Sequence, residues 1–248
     1  MNAAIVRAAT LLVVAKAPVP GEAKTRLQSL LSPEQAADLA AAALLDTLAA
    51  VSATPADCRV VALTGDLVHA RRRPELQEVL GNFLIVPQRG VAFAERLVAA
   101  HHDAAEAGGA GGGVLQIGMD TPQLTPRHLS AAAAQLSAAG TDAVLGPAAD
   151  GGWWALGVRR PELADVLVGV PMSRADTAVL TLAALRRGGA RVHLLEELSD
   201  VDTPEDIRVV AEAAPRTLFA AAAARLGTGA VGPHGEIAEG RRPLSRLA

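Results

Sequence analysis

Tyrosine is absent from this chain of 248 residues, and three phenylalanines and two tryptophans bring the aromatic content to only 2%. So few rings leave no stacking platform for single-stranded nucleic acid. They also disfavour an all-β sandwich, which leans on aromatic and β-branched side chains. There is one cysteine, Cys58, which excludes an internal disulfide and a cysteine-based zinc cluster. It precedes the apolar run 59–63 and reads as a core strand residue, with no histidine or asparagine partner in view for a nucleophile. Excess charge is missing too: 23 basic residues face 26 acidic ones, a net charge of -3. No basic field points to DNA or RNA. The first ten residues carry one arginine and no long apolar segment, and no run of about 18 apolar residues is free of charge. The expectation is a cytoplasmic protein with no membrane span and no nucleic-acid partner.

What remains is a chain that is 50% apolar and therefore able to build a sizeable core from Ala, Val and Leu. Short β-type runs alternate with longer Ala/Leu-rich helical runs. Strands are expected at 10–15, 59–64, 83–87, 114–117, 143–145, 153–158 and 192–195. Ser32-Pro33-Glu34-Gln35 reads as a capping box with proline at the first helical position, opening a helix to about residue 53. Further helices are expected at 74–80, 92–107, 125–139, 161–168, 174–187 and from Thr203-Pro204 onward. A Gly-rich linker spans 108–113. Such alternation builds βαβ units and a mostly parallel sheet covered on both faces. Residues 1–214 read as one domain, and 215–248 as a C-terminal helix followed by a disordered tail from about residue 227.

In open α/β sheets, ligands lie outside the carboxyl ends of the strands, and the informative residues here follow strand runs. After the first strand, Lys16, Lys24 and Arg26 fall within eleven residues of a loop shaped by Pro18, Pro20 and Gly21. Phosphate binding needs exposed backbone N–H groups and several cations, and arginine adds a planar fork. The loop is not a Walker A motif, because Pro18 and Ala23 stand where that motif has glycine. An ordinary solvated basic loop is the plain alternative. After the fourth strand comes Gly118-Met119-Asp120-Thr121-Pro122. A carboxylate there suits Mg²⁺, which uses one or two carboxylates and fills its shell with phosphate and water, although turn residues look the same. The segment Gly146-Pro-Ala-Ala-Asp150-Gly151-Gly152-Trp153-Trp154 lets backbone approach a ligand closely at its glycines. Alternation puts the two tryptophans on opposite faces, so at least one belongs to the core. In Asp200-Val-Asp202-Thr-Pro-Glu205-Asp206, the helix dipole explains Glu205 and Asp206, while Asp200 or Asp202 is free to supply a second metal ligand. Gln88-Arg89-Gly90 forms a loop beside the ligand, Glu95-Arg96 reads as surface charge, and His101 and His102 as solvent-facing.

In this order, the segments 16–27, 88–97, 117–122, 146–154 and 200–206 resemble the bacterial rSAM/selenodomain-associated transferases, often described as arsenosugar-biosynthesis-type glycosyltransferases. That family is similar to GT-A glycosyltransferases and to the molybdenum-cofactor and 2-phospho-L-lactate guanylyltransferases. The resemblance implies an α/β, Rossmann-like GT-A three-layer sandwich, the nucleotide-diphospho-sugar transferase fold, with a mostly parallel mixed sheet of seven strands. By this likeness Lys16, Pro18, Gly21, Lys24, Thr25, Arg26, Gln88 and Gly90 would bind the nucleotide and its phosphates. Asp120, with Asp202, would hold Mg²⁺ or Mn²⁺. Asp150, Gly151, Gly152 and Trp153 would shape the substrate or acceptor side, and Asp120, Lys24 and Asp150 would serve catalysis. Two departures stand out: Ala92-Phe93-Ala94 replaces the usual Asp-Leu-Gly, and Met119 occupies a place where a small polar residue is usual.

The implied activity is metal-dependent transfer of a sugar from a nucleotide-diphosphate sugar to a small-molecule acceptor. Nucleotidyl transfer from an NTP to a phosphorylated acceptor, with pyrophosphate release, uses the same loop and cation. A non-catalytic nucleotide-binding protein is the third expectation. The proline- and lysine-rich first loop favours the glycosyl reading, because nucleotidyltransferases of this fold more often have a Gly-rich loop.

Overall fold

Strand β1 (Thr10–Lys16) is buried at every position except its last. Only a strand covered on both faces accommodates such a run. Leu11, Val13 and Ala15 enter one core, while Leu12 and Val14 enter another on the opposite face. The computed structural model describes residues 8–109 and 112–229.

The remaining strands are β2 (Arg59–Thr64), β3 (Leu84–Pro87), β4 (Val114–Ile117), β5 (Ala143–Pro147), β6 (Trp153–Val158) and β7 (Val192–Leu194). They form one seven-stranded sheet in the order β3-β2-β1-β4-β6-β5-β7. Only β6 runs against its neighbours, pairing antiparallel with β4 and β5. The order reverses direction beside β1, so β1 and β4 flank the topological switch point where such sheets bind ligands.

Helices α1 (Pro33–Ser52), α2 (Arg73–Leu80) and α4 (Pro126–Ser137) supply apolar residues to the first core. Helix α3 (Phe93–Gly108), a 3₁₀ stretch at Pro161–Gly169 and helix α5 (Thr177–Arg187) cover the other face. This is the α/β three-layer architecture of the nucleotide-diphospho-sugar transferases. The capping box forms at α1, where Ser32 N–H donates to Gln35 at 2.8 Å and Ser32 Oγ accepts from Gln35 N–H at 3.3 Å. Helix α1 is long and apolar enough to cross a membrane, but 72% of that stretch is buried inside the fold.

Helices α6 (Pro204–Ala213) and α7 (Leu218–Gly229) close a third core with α1, centred on Leu39, Val210 and Phe219. The Asp46 carboxylate, on α1, accepts the Leu218 and Phe219 N–H groups at 2.9 and 2.8 Å and so caps α7. The helix expected to start at residue 174 starts at Thr177, whose hydroxyl accepts the Arg174 N–H at 3.1 Å and donates to the Pro171 carbonyl at 3.0 Å, holding 174–176 in a turn. The stretch expected as a helix at 161–168 is 3₁₀ rather than α. Residues 227–229 of the expected tail belong to α7; its remainder, together with residues 110 and 111 of the Gly-rich stretch, lies outside the described residues.

One expectation about side chains requires correction. His101 is fully buried, not solvent-facing, because it shares the inward stripe of α3 with Leu97, Ala100 and Ala104. His102 stands outside that stripe and pairs with Asp165 at 2.8 Å.

Candidate active site

Each parallel strand ends at the same edge of the sheet, and there a cavity of about 860 Å³ opens. Lys16 ends β1, Gly118, Met119 and Asp120 follow β4, and all four line the cavity. The β5–β6 hairpin brings Asp150, Gly152 and Trp153 to the same edge. The segment before α6 adds Asp200 and Asp202.

Charge is concentrated on one side. Lys24 Nζ donates to Asp120 and to Asp202, each at 2.7 Å, and its side chain is only 12% exposed. Burial works against its charge, but Asp120 and then Asp202 more than offset that and hold its pKa above the ordinary lysine value. The backbone of Lys24 is left-handed, with φ 48° and ψ 45°. For a residue with a Cβ this conformation costs about 1–2 kcal/mol, so the two ion pairs act where local strain is stored. Arg26 donates to the other oxygen of Asp202 at 2.9 Å. Burial opposes ionisation of Asp202, yet Lys24 and then Arg26 keep its pKa below the usual carboxylate range.

Asp200 joins this group. Single carboxylate oxygens of Asp120, Asp200 and Asp202 all lie within 4.8 Å of one another. Burial, followed by the charges of Asp120, Asp150 and Asp202, pushes the Asp200 pKa up to about 7, against the opposing effect of Lys24. The sequence left Asp200 and Asp202 as alternatives; the fold brings both to Asp120. An all-oxygen set of this kind is the donor chemistry of Mg²⁺ or Mn²⁺. Lys24 now neutralises two of these carboxylates, so a cation held there would compete with its ammonium group.

The other expected residues divide into two groups. Lys16, Arg26, Gln88, Asp150, Gly152 and Trp153 line the cavity. Pro18, Gly21, Thr25, Gly90 and Gly151 do not; they shape the loops behind it. Gly21 has a φ of 81°, and Thr25 opens a 3₁₀ turn. At Gly151 a Cβ would lie 2.0 Å from the Ala175 carbonyl oxygen, so the hairpin turn packs directly on the segment before α5. The Gln88 amide donates to the carbonyls of Ala15 and Ala62 at 2.8 and 3.0 Å, tying β1 and β2 together beside the cavity. Asp150 Oδ1 accepts the Gly152 N–H at 2.7 Å. Trp154 is buried and donates to the Glu196 carbonyl, while Trp153 faces the cavity. Met119 accepts the Lys16 backbone N–H on sulfur at 3.1 Å, linking the ends of β4 and β1.

Sequence reasoning missed the opposite wall, made by Phe93, Arg96, Leu97, Gln116 and Met172. Arg96 is not mere surface charge: its Nε is buried, and its guanidinium carbon sits 5.5 Å from the Phe93 ring centroid. Its position in the first turn of α3, at the carboxyl edge of the sheet, was the available signal.

The sheet order and the cavity at its carboxyl edge give the chain the fold of the nucleotide-diphospho-sugar transferases. The chain belongs to the DUF2064 family, described as uncharacterized proteins conserved in bacteria, whose model matches residues 47–174. It is similar to a protein from Desulfovibrio desulfuricans G20 assigned as a nucleotide-diphospho-sugar transferase, with a TM-score of 0.76, 27% identity, and coverage of 89% of this chain and 95% of that one. It shares its fold with 4-diphosphocytidyl-2C-methyl-D-erythritol synthase (TM-score 0.56, 15% identity, covering 85% and 99%). The fold also matches CMP:2-keto-3-deoxy-manno-octonic acid synthetase complexed with CTP (TM-score 0.51, 13% identity, covering 84% and 99%). No curated protein matches the chain.

Proposed function

We propose that this protein is a metal-dependent glycosyltransferase that moves a sugar from a nucleotide-diphosphate donor to a small-molecule acceptor. The carrying observation is the meeting of Asp120, Asp200 and Asp202, with Lys24 bridging Asp120 and Asp202, at the switch point of the sheet, where the three carboxylates line a cavity large enough for a nucleotide sugar. The similarity to the Desulfovibrio protein supports the choice of donor, as does the resemblance of the motif order to the rSAM/selenodomain-associated transferases.

In this reading Lys16 and Arg26 bind the diphosphate, and Gln88 and Gly90 shape the nucleotide side. Asp120, Asp200 and Asp202 hold the cation, which when bound neutralises charge on the departing diphosphate. Lys24 keeps the carboxylates in place between turnovers and shares their charge with the cation. An acceptor hydroxyl attacks the anomeric carbon, the bond from that carbon to the phosphate oxygen breaks, and the nucleoside diphosphate leaves with the electron pair. Asp150 takes the hydroxyl proton on the oxygen that Gly152 leaves free. Gly151, Gly152 and Trp153 form the acceptor wall.

Nucleotidyl transfer is the second reading, favoured by the fold shared with two cytidylyl-transferring enzymes. It would use the same cations and carboxylates for attack at the α-phosphorus. Incubation with nucleotide sugars and NTPs in Mg²⁺, read by mass spectrometry, separates the two: released nucleoside diphosphate supports sugar transfer, released pyrophosphate the alternative. Asp120→Asn is expected to lower either turnover by about 10²-fold or more at a temperature where the variant remains folded. Full activity of that variant in Mg²⁺ would refute the assignment.

A further inference from the structure

The sheet has two edges, β3 and β7, and among the described residues neither has a strand on its outer side. An unpaired edge presents backbone N–H and C=O groups to any chain that can use them. The β3 edge is guarded. The Gln88 N–H donates to the Leu63 carbonyl, so residues 84, 86 and 88 direct their backbone groups at β2, and Phe83, Ile85 and Pro87 direct theirs outward. Pro87 has no N–H to offer, and the Phe83 N–H turns back to the Leu80 carbonyl at 3.0 Å.

The β7 edge has no such guard. The Leu195 N–H donates to the Leu145 carbonyl at 2.9 Å, and the Arg191 carbonyl accepts the Asp142 N–H at 2.9 Å. Residues 191, 193 and 195 therefore face β5 with their backbone groups, and Val192 and Leu194 present theirs outward. No proline or lysine interrupts residues 191–197, and Leu194 is 47% exposed.

The charges flanking β7 are sorted by sign. Arg186 and Arg187 end α5. The tight turn after them, closed by the Ala190 N–H on the Leu185 carbonyl at 3.0 Å, keeps both at the start of β7. Glu196 and Glu197 follow its end. All four side chains are exposed, and none has an ion-pair partner among the described residues; Arg191, by contrast, is engaged with Asp142 at 2.8 Å. A strand that is basic at its start and acidic at its end complements a copy of itself turned end for end.

We propose that β7 is the contact between two copies of this chain, paired antiparallel about a two-fold axis at His193. In that register Val192 of each copy lies opposite Leu194 of the other, and their outward N–H and C=O groups bond across the axis. At both ends the arginines of one copy meet Glu196 and Glu197 of the other. A foreign strand of one charge would suit one end and be repelled at the other, which favours a second copy. Val192, Leu194, Glu196 and Glu197 do not line the cavity, so pairing leaves the candidate site open and the inference does not depend on the transferase reading.

The test is sedimentation velocity of the full chain over about 1–200 µM, because a short shared strand gives a reversible association rather than a permanent one. A concentration-dependent passage from monomer to dimer is expected. The double variant Arg186→Glu/Arg187→Glu makes both ends of the strand acidic, and Glu196→Lys/Glu197→Lys makes both basic. Each alone is expected to weaken dimerisation by about ten-fold or more. An equimolar mixture of the two is expected to restore it, because every junction of the mixed dimer then joins opposite charges. Leu194→Pro removes an outward N–H that no bond to β5 uses and is expected to abolish the dimer; should it fail to fold, the mixing experiment decides. A wild type that stays monomeric throughout, a dimer that a folded Leu194→Pro leaves intact, or a mixture no tighter than its components overturns the proposal.

Discussion

Replacing Lys24 with methionine keeps the length of the side chain and removes the one charge among the described residues that touches both Asp120 and Asp202. Each contact is 2.7 Å long and the lysine side chain is 12% exposed, while the two aspartates are 28% and 25% exposed. Breaking a fully buried pair costs about 3–5 kcal/mol. Partial exposure of the carboxylates screens the loss, so about 2 kcal/mol is expected. For a chain of this size, that is a drop of about 4–8 °C in melting temperature. The measurement is thermal unfolding of wild type and Lys24→Met in EDTA and across a series of Mg²⁺ concentrations. In Mg²⁺ the variant should recover more than the wild type gains, because its three carboxylates no longer have an ammonium group competing for them. A cation at a hundred times its dissociation constant contributes about 2.7 kcal/mol, enough to restore the loss. As a control, Arg208→Met breaks an exposed pair with Glu212, whose side chains are 74% and 64% exposed, and should shift the midpoint little. Identical melting of Lys24→Met and wild type in EDTA would refute the energetic role of the pair. Equal gains from Mg²⁺ would refute the competition.

Burial, and next the charge of His102, lower the His101 pKa to about 3, the Gln116 amide opposing. An unfolded histidine titrates near 6.5, so below that pH the unfolded chain takes up a proton that the native state refuses. The contribution of His101 is therefore fully present above about pH 6.5 and falls as pH drops towards 3, by up to about 1.4 kcal/mol per pH unit. Urea unfolding at pH 7, 6 and 5 should show a shallower loss for His101→Gln; parallel curves for variant and wild type would count against the buried neutral imidazole. Gly151→Ala combines a φ of 87° with a Cβ placed 2.0 Å from the Ala175 carbonyl oxygen. It should destabilise the chain by more than about 1 kcal/mol, seen as a lower urea midpoint, and an unchanged midpoint would show that the 171–176 segment yields freely.

Much of the fold was legible because its signals are local. The apolar runs at 59–64, 114–117 and 153–158 coincide with β2, β4 and β6, and Ser32 and Gln35 announce α1 through their own hydrogen bonds. Where a signal depends on phase, the reading failed: residues 97, 100, 101 and 104 form one helical stripe, which places His101 inside and His102 out. The turn at 174–176, held by the Thr177 hydroxyl, carries no sequence mark, so the start of α5 was set too early. In the candidate site, residue types at strand ends pointed to Lys16, Asp120, Asp150 and Asp202, but not to their partners. Lys24 is separated from Asp120 by 96 positions and from Asp202 by 178, and only the folded sheet shows that one ammonium group serves both. Arg96 was invisible for a different reason: the charged pair Glu95-Arg96 reads as surface charge, whereas Glu95 caps α3 and the Arg96 Nε is buried.

The β5–β6 hairpin reverses the chain at the cavity edge and re-enters the sheet between β4 and β5 without a crossover helix. Its turn therefore hangs over the cavity as a short arch anchored at both feet by the sheet. Strands β1 to β4 are joined in turn by helical crossovers that pack on the sheet, and lengthening one of them disturbs packing on a whole face. Residues 148–152 are tied instead to the segments on either side: the Ala149 N–H donates to the Leu198 carbonyl at 2.9 Å, two residues before Asp200, and the Ala178 N–H to the Gly151 carbonyl at 2.9 Å. A change in the arch is therefore passed to the carboxylate segment through a few backbone contacts, not through a face of the sheet.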